Sequence, residues 1–291
     1  MSQNSNVLYH ILAIIIVVVW GTTFVSTKVL LLHGLSPAGI FLIRFIIAYL
    51  GLVYFSYRRL WCKNLKDEML MLLLGLSGGS LYFLTENMSL EFTTTTNTSL
   101  IVCSCPLFST LFICYFFKTK LTRHQVLGAV LSFLGMAIVV LNGQFVLKLS
   151  PVGVLFAFSA CLCWPIYYVL MRLLVANYST IFITRKVFGY GLLTILPWFI
   201  LNPQDFPTWS SLESVSVWGN LLFLSLIASL ACFSLWTLCL KRLGVIMATN
   251  YVYINPIATV GAAVMFLSET ITIYFVIGSV LILAGLWLHN R

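Results

Sequence analysis

A chain of 291 residues, 61% hydrophobic and 8% charged, has too little polar surface to coat a globule in water, where about 25% charged residues is usual. The net charge of +9 does not point to nucleic acid, because the basic residues sit in short stretches between long apolar runs, where they set orientation in a membrane. The eight cysteines include no CxxC spacing, which excludes a zinc knuckle and a redox pair and leaves them as small buried hydrophobes.

Apolar runs of roughly 20 residues, the length that crosses a bilayer as a helix, recur ten times. They fall at about 9–31, 36–57, 67–87, 93–117, 122–142, 150–171, 179–201, 215–239, 245–267 and 271–289. The first lacks a basic flank and runs on past Trp20, which argues against a cleaved signal peptide. Pro37 and Pro151 open the second and sixth spans, at a first turn where a missing N–H costs little. Trp61, Trp198, Trp209, Trp218 and Trp287 lie near span ends and read as interfacial belts.

With ten spans, eleven basic residues fall on one side: Arg58, Arg59, Lys63, Lys66, Lys118, Lys120, Arg123, Arg172, Lys241, Arg242 and Arg291. The other side holds Lys148 alone. The positive-inside rule then puts both termini in the cytoplasm.

The chain is also written twice. Leu100 to Gly135 and Asn250 to Gly285, 150 positions apart, share nine identities in 36 positions, among them Pro106 with Pro256, Gly128 with Gly278 and Gly135 with Gly285. The beginnings match as well: Trp20-Gly21 with Trp164-Pro165, Lys28 with Arg172, and Arg44 with Arg185 after a three-residue gap. The split divides the chain into 1–148 and 149–291, five spans each. Consecutive copies with an odd number of spans must cross in opposite senses, so the fold class expected is an all-α integral membrane protein of ten transmembrane helices arranged as two inverted five-helix repeats.

Candidate functional residues follow from what is costly in lipid. Gly21 and Pro165 each weaken a helix near its middle, and paired interruptions point to a transporter's midplane site; glycine and proline are also simply frequent in membrane helices. Pro106 and Pro256 favour kinks in the fourth and ninth spans. Glu86 is a carboxylate well inside a span, with Tyr82 one turn before it and Trp236 at its matched position. It reads either as a proton carrier or partner for a cationic group, or as an ion pair with Arg44 or Lys186, or as a carboxylate placed shallow enough to touch water. Asn97, Ile101 and Ser104 share one helical face, as do Met247, Tyr251 and Ile254 beside Asn250; these polar groups face substrate or bond other helices. Trp20, Trp164 and Trp236 lie deep in their spans, lining a cavity or packing a core. Gly75 and Gly79 form a GxxxG of close helix packing. Glu269 reads as a cap of the tenth helix.

Ten spans, the repeat, the early tryptophan, the proline and basic Lys118-Thr-Lys-Leu-Thr around the fourth span, and Leu267-Ser-Glu-Thr-Ile-Thr with Gly278 and Gly285 together resemble the EamA family of the drug/metabolite transporter superfamily. The first copy departs from the pattern at Thr119, where glutamate is common in the family. The resemblance implies a bacterial plasma-membrane exporter of small metabolites, amino acids or drugs among them, working by alternating access. It also implies a central cavity whose lining maps onto Trp20, Tyr82, Glu86, Asn97, Ile101, Trp164, Tyr168, Trp236, Asn250 and Tyr251.

The expected partners are a small-molecule substrate, the bilayer and protons, with no nucleic acid, cofactor or metal. No Walker A sequence is present, so energy would come from gradients. A channel or facilitator pore is the alternative. An intramembrane enzyme is disfavoured, since HExxH and GxSxG are absent and no aspartate lies inside a span.

Overall fold

The computed structural model describes residues 3–57, 59–93, 95–141, 150–259, 261 and 272–289, and among these residues there are helices and connections but no strand. Besides two short 3-10 turns at Pro203–Asp205 and Trp209–Leu212, the longer helical elements, grouped across their interruptions, run in chain order. They are α1 (Gln3–Leu32), α2 (Pro37–Phe55), α3 (Leu65–Phe92), α4 (Thr95–Val102 and Cys105–Phe117), α5 (Arg123–Leu141), α6 (Pro151–Leu174), α7 (Thr180–Leu201), α8 (Val215–Leu243), α9 (Val245–Asn250, Tyr251–Ile254 and residues 255–259) and α10 (Ile273–His289). Local chemistry sets the starts. Ser36, Ser150 and Ser179 each accept a hydrogen bond from the backbone N–H three residues on, at Gly39, Gly153 and Phe182, the usual N-cap geometry.

Among the described residues, five helices are long and apolar enough to cross a bilayer: Val7–Leu32, Pro37–Phe55, Leu65–Phe92, Pro151–Leu174 and Val215–Leu243. Shorter apolar helices add to them. Large apolar side chains such as Leu50, Tyr115, Leu127, Leu201 and Val280 stand exposed around the bundle, a surface that suits lipid and would aggregate in water.

The helices are interrupted at matched places. In α3 the backbone widens into π-type turns over Leu76–Leu81, and in α8 over Phe223–Ala231. Shifted by 150 positions, the first interval lies within the second, and both end immediately before a cavity-facing turn. Such wide turns recur at functional sites. Near Pro106, α4 breaks at Cys103-Ser104, and just before Pro256 α9 tightens over Tyr251–Ile254, as expected where a proline removes an interior hydrogen bond. The paired interruption expected at Gly21 and Pro165 is not seen, because α1 and α6 each run unbroken through these positions. Gly21 instead admits α9: an added Cβ would lie 2.7 Å from Asn255 O. The Gly75–Gly79 pair does mark close packing, here against α7, where a Cβ on Gly79 would sit 3.1 Å from Gly191 Cα.

Helices α5 and α10 meet along a glycine seam. A Cβ on Gly128 would lie 2.5 Å from Gly285 O, and one on Gly135 2.6 Å from Gly278 O. The order of contacts makes the two helices antiparallel. Since 278 and 285 are the repeat partners of 128 and 135, each half gives the contact it receives, the pattern that a two-fold relation imposes.

The loops carrying most of the basic residues collect at one end of the bundle. Arg242 lies over the Tyr9 ring at 5.6 Å and Arg172 over Phe117 at 4.2 Å. Glu269, Lys148, Arg58 and Arg291 lie outside the described residues.

Candidate functional site

A small cavity of about 40 Å³ opens in the middle of the bundle. Its aromatic rings are interlocked. Trp20 stands 6.2 Å from Trp164, 5.2 Å from Trp236 and 5.7 Å from Phe233, while Tyr82 meets Trp164 edge-on at 4.9 Å. Tyr168 stacks on Trp164 at 5.2 Å. The Trp20 indole donates to Ala228 O at 3.0 Å in the wide turn of α8, an acceptor that a regular helix would keep for itself.

The lining is built largely from matched positions of the two halves: Trp20 with Trp164, Phe24 with Tyr168, Phe83 with Phe233, Val102 with Val252 and Cys105 with Asn255. Four further lining residues, Thr23, Arg44, Tyr82 and Glu86, come from the first half, and all four are polar or charged. Glu86 lies six residues before the end of α3, about 9 Å along the helix axis.

Glu86 is 7% exposed and Arg44 4% exposed. The Tyr82 hydroxyl donates to Glu86 Oε1 at 2.6 Å. Arg44 donates through Nε to Ser229 Oγ at 2.6 Å, with its guanidinium carbon 4.4 Å from the centre of the Phe83 ring. The two charges share the cavity without a direct ion pair; among the described residues the ion pair found is Lys186 with Glu68, elsewhere. The sequence alternatives that paired Glu86 with Arg44 or Lys186 are thus not what the geometry holds.

Of the residues expected at the site, Trp20, Tyr82, Glu86, Trp164 and Tyr168 line the cavity. Trp236 is completely buried behind Trp20. Asn250 donates to Ile246 O and meets His289 Nε2, both at 2.7 Å, so it joins α9 to α10. Tyr251 meets His10 Nδ1 at 2.6 Å, and Ile101 packs against the core. The side chain of Asn97 lies outside the described residues. Phe83, Phe233 and Asn255 were not singled out for the lining from the sequence. The identity of Phe83 and Phe233 at the 150-residue offset was the signal available for two of them.

A second polar cluster bridges the halves at the basic end. Glu68 of α3 accepts from Lys186 and Tyr190 of α7 and, at 2.7 Å, from the Cys62 N–H. Arg185 donates to the carbonyls of Ser56, Arg59 and Leu60. The Tyr178 hydroxyl donates to Asp67 at 2.6 Å and accepts from the Lys63 N–H at 3.0 Å. Burial, then the Asp67 hydrogen bond, pushes the Tyr178 phenol up to about 12. At the opposite end the described bonds between halves are neutral: Ser36 Oγ to Asp205 O at 2.5 Å and Ser89 Oγ to Gly153 O at 3.0 Å.

A multi-helix fold with lipid-suited flanks, closing on an aromatic cavity that holds two buried charges without a direct ion pair between them, defines a multi-pass membrane protein with an internal cavity. The chain belongs to the EamA-like transporter family, whose profile it matches over residues 7–141 and again over 151–291, and it is a multi-pass membrane transporter. It is 25% identical to an "Uncharacterized transporter" of Archaeoglobus fulgidus, over 96% of each chain. It is 25% identical to a "Probable amino-acid metabolite efflux pump" of Salmonella typhimurium, over 96% of this chain and 93% of the relative. It is 24% identical to a "Probable terminal-alkyne amino-acid exporter" of Streptantibioticus cattleyicolor, over 96% and 92%. A solved crystal structure shares the fold at a TM-score of 0.76 and 18% identity, covering 99% of this chain and 98% of the other.

Proposed function

We propose that this chain is a secondary transporter exporting small metabolites across a bacterial inner membrane by alternating access, with the central cavity as its substrate site. The carrying observation is the cavity lining, drawn from matched positions of 1–148 and 149–291. In this reading the two segments are inverted five-helix repeats with ten spans between them. The antiparallel, reciprocal seam of α5 and α10 supports the inversion, a design suited to rocking one half against the other around a fixed site. The collected basic residues favour a cytoplasmic location for the end where the Glu68 cluster lies. That cluster closes the cytoplasmic side in the state described, and the neutral bonds at the far end are the ones expected to part. The printed names of the Salmonella and Streptantibioticus relatives support export as the direction.

Glu86 is assigned proton coupling, because a buried carboxylate facing the cavity with one protein donor can change charge as the site alternates between two aqueous phases. The test has two stages. An export screen in cells overproducing the chain, set against a Trp20→Ala, Trp164→Ala variant, finds the metabolite carried. In proteoliposomes loaded with that metabolite, Glu86→Gln abolishes pH-driven uptake and keeps substrate exchange. Undiminished pH-driven uptake removes Glu86 from the coupling role.

A further inference from the structure

Arg44 enters none of the roles assigned above, yet its setting is that of a binding group. It is 4% exposed and lines the cavity. One side of the guanidinium is fixed, through Nε, to Ser229 on the wide turn of α8. Phe83 lies against it at 4.4 Å. Its terminal N–H groups have no protein acceptor among the described residues. A cation held this far from water with no anion in hydrogen-bond contact is costly, and the fork of a guanidinium matches a carboxylate by two parallel hydrogen bonds.

The other charge is similarly placed. Glu86 has Tyr82 as its donor, and a carboxylate has acceptor positions to spare. With both groups ionised the site is neutral. A ligand of single charge would leave an unbalanced charge in a low-dielectric pocket, whereas a ligand that is itself dipolar would not. Between the charges the walls are apolar and aromatic, from Trp20, Phe24, Trp164 and Phe233, and the free space is small.

We propose that Arg44 binds the anionic group of the transported molecule and Glu86 its cationic group, so that the cavity selects a compact zwitterion carrying a carboxylate, an ammonium and an apolar body. Ser229 is the positioning residue that holds Arg44 from the other half. The proposal rests on the reading of the cavity as the transport site. On this view Arg44 and Ser229 tie substrate recognition to the α8 wide turn, and the proton on Glu86 competes with the substrate ammonium.

The test uses the purified full chain in nanodiscs, with binding followed by tryptophan fluorescence and by thermal stabilisation. The ligands are L-leucine, L-methionine and L-phenylalanine, their methyl esters, which lack the carboxylate, and the corresponding acids without the amino group. At least one amino acid is expected to bind at least about tenfold more tightly than either of its analogues. Arg44→Gln erases the preference over the ester by weakening the amino acid and not the ester, and Glu86→Gln erases the preference over the deaminated acid. Arg44→Lys, which keeps the charge without the fork, restores part of the preference and serves as the check if Arg44→Gln does not fold. The proposal is overturned if none of the three amino acids binds, or if Arg44→Gln weakens amino acid and ester alike. A wild-type protein that exports a metabolite without both charges overturns it too and leaves the transporter reading intact; absence of any export strikes at that reading instead.

Discussion

In the seam, Gly128 meets Gly285 and Gly135 meets Gly278, so each half supplies the same contact, whereas around the cavity Tyr82 and Glu86 of the first half correspond to Cys232 and Trp236 of the second. Arg44 shows the divergence most plainly. In the first half it faces the cavity; its counterpart Arg185 binds the carbonyls of the loop at the basic end. Packing of two backbones at close range imposes the same demand on both copies, namely no Cβ. A ligand without two-fold symmetry imposes no such demand, and each copy is free to supply different chemistry.

The seam is the place to break that comparison with the largest effect. Gly135→Leu and its matched Gly285→Leu each force a side chain into the facing backbone and should leave no monodisperse protein on size exclusion. The milder Gly135→Ala and Gly285→Ala should each cost about 1–3 kcal/mol, similar for the pair, in unfolding titrations. A silent Gly285→Ala beside a disruptive Gly135→Ala would end the claim of reciprocity.

Next in size is the contrast between Trp236 and Trp20. Trp236 is fully buried, and Trp236→Ala should cost about 3–5 kcal/mol with its main effect on unfolding. Trp20 is only partly buried and lines the cavity, so Trp20→Ala should lose less stability and more transport. The reverse order would return Trp236 to the site.

The smallest effect is expected where the halves touch at the basic end. Burial, reinforced by the Glu68 carboxylate, pushes the Cys62 thiol up to about 11, so little of it is thiolate at pH 8. Glu68→Gln removes that charge and loosens the bond to Lys186. Losing the carboxylate charge moves the thiol down, though burial still holds it above its ordinary value, and maleimide labelling at pH 8 should accelerate up to roughly tenfold. Labelling at the wild-type rate would show that Glu68 holds nothing closed.

Helix positions were legible because a buried span needs a long apolar run and because first-turn prolines such as Pro37 and Pro151 act locally. The breaks near Pro106 and Pro256 were legible for the same reason. The wide turns in α3 and α8 were not, since Leu76–Leu81 and Phe223–Ala231 contain no proline to announce them. Trp20, Tyr82, Glu86, Trp164 and Tyr168 line the cavity, and the other described residues expected there stand elsewhere on the same helices. Trp236, Asn250, Tyr251 and Ile101 lie on the right helices, but which face of a helix looks inward is settled by its rotation against neighbours rather than by residue type.

The sequence by itself determined that the chain is helical and membrane-bound, that one unit is written twice, and that charges such as Glu86 stand where lipid would not tolerate them. Those properties depend on composition and local spacing. Only the tertiary structure decided that Arg44 shares a cavity with Glu86 without pairing to it, that Lys186 belongs to Glu68, and that Gly21 serves the approach of α9. Each of these is a contact between residues far apart in the chain, and its geometry exists only after the helices have packed.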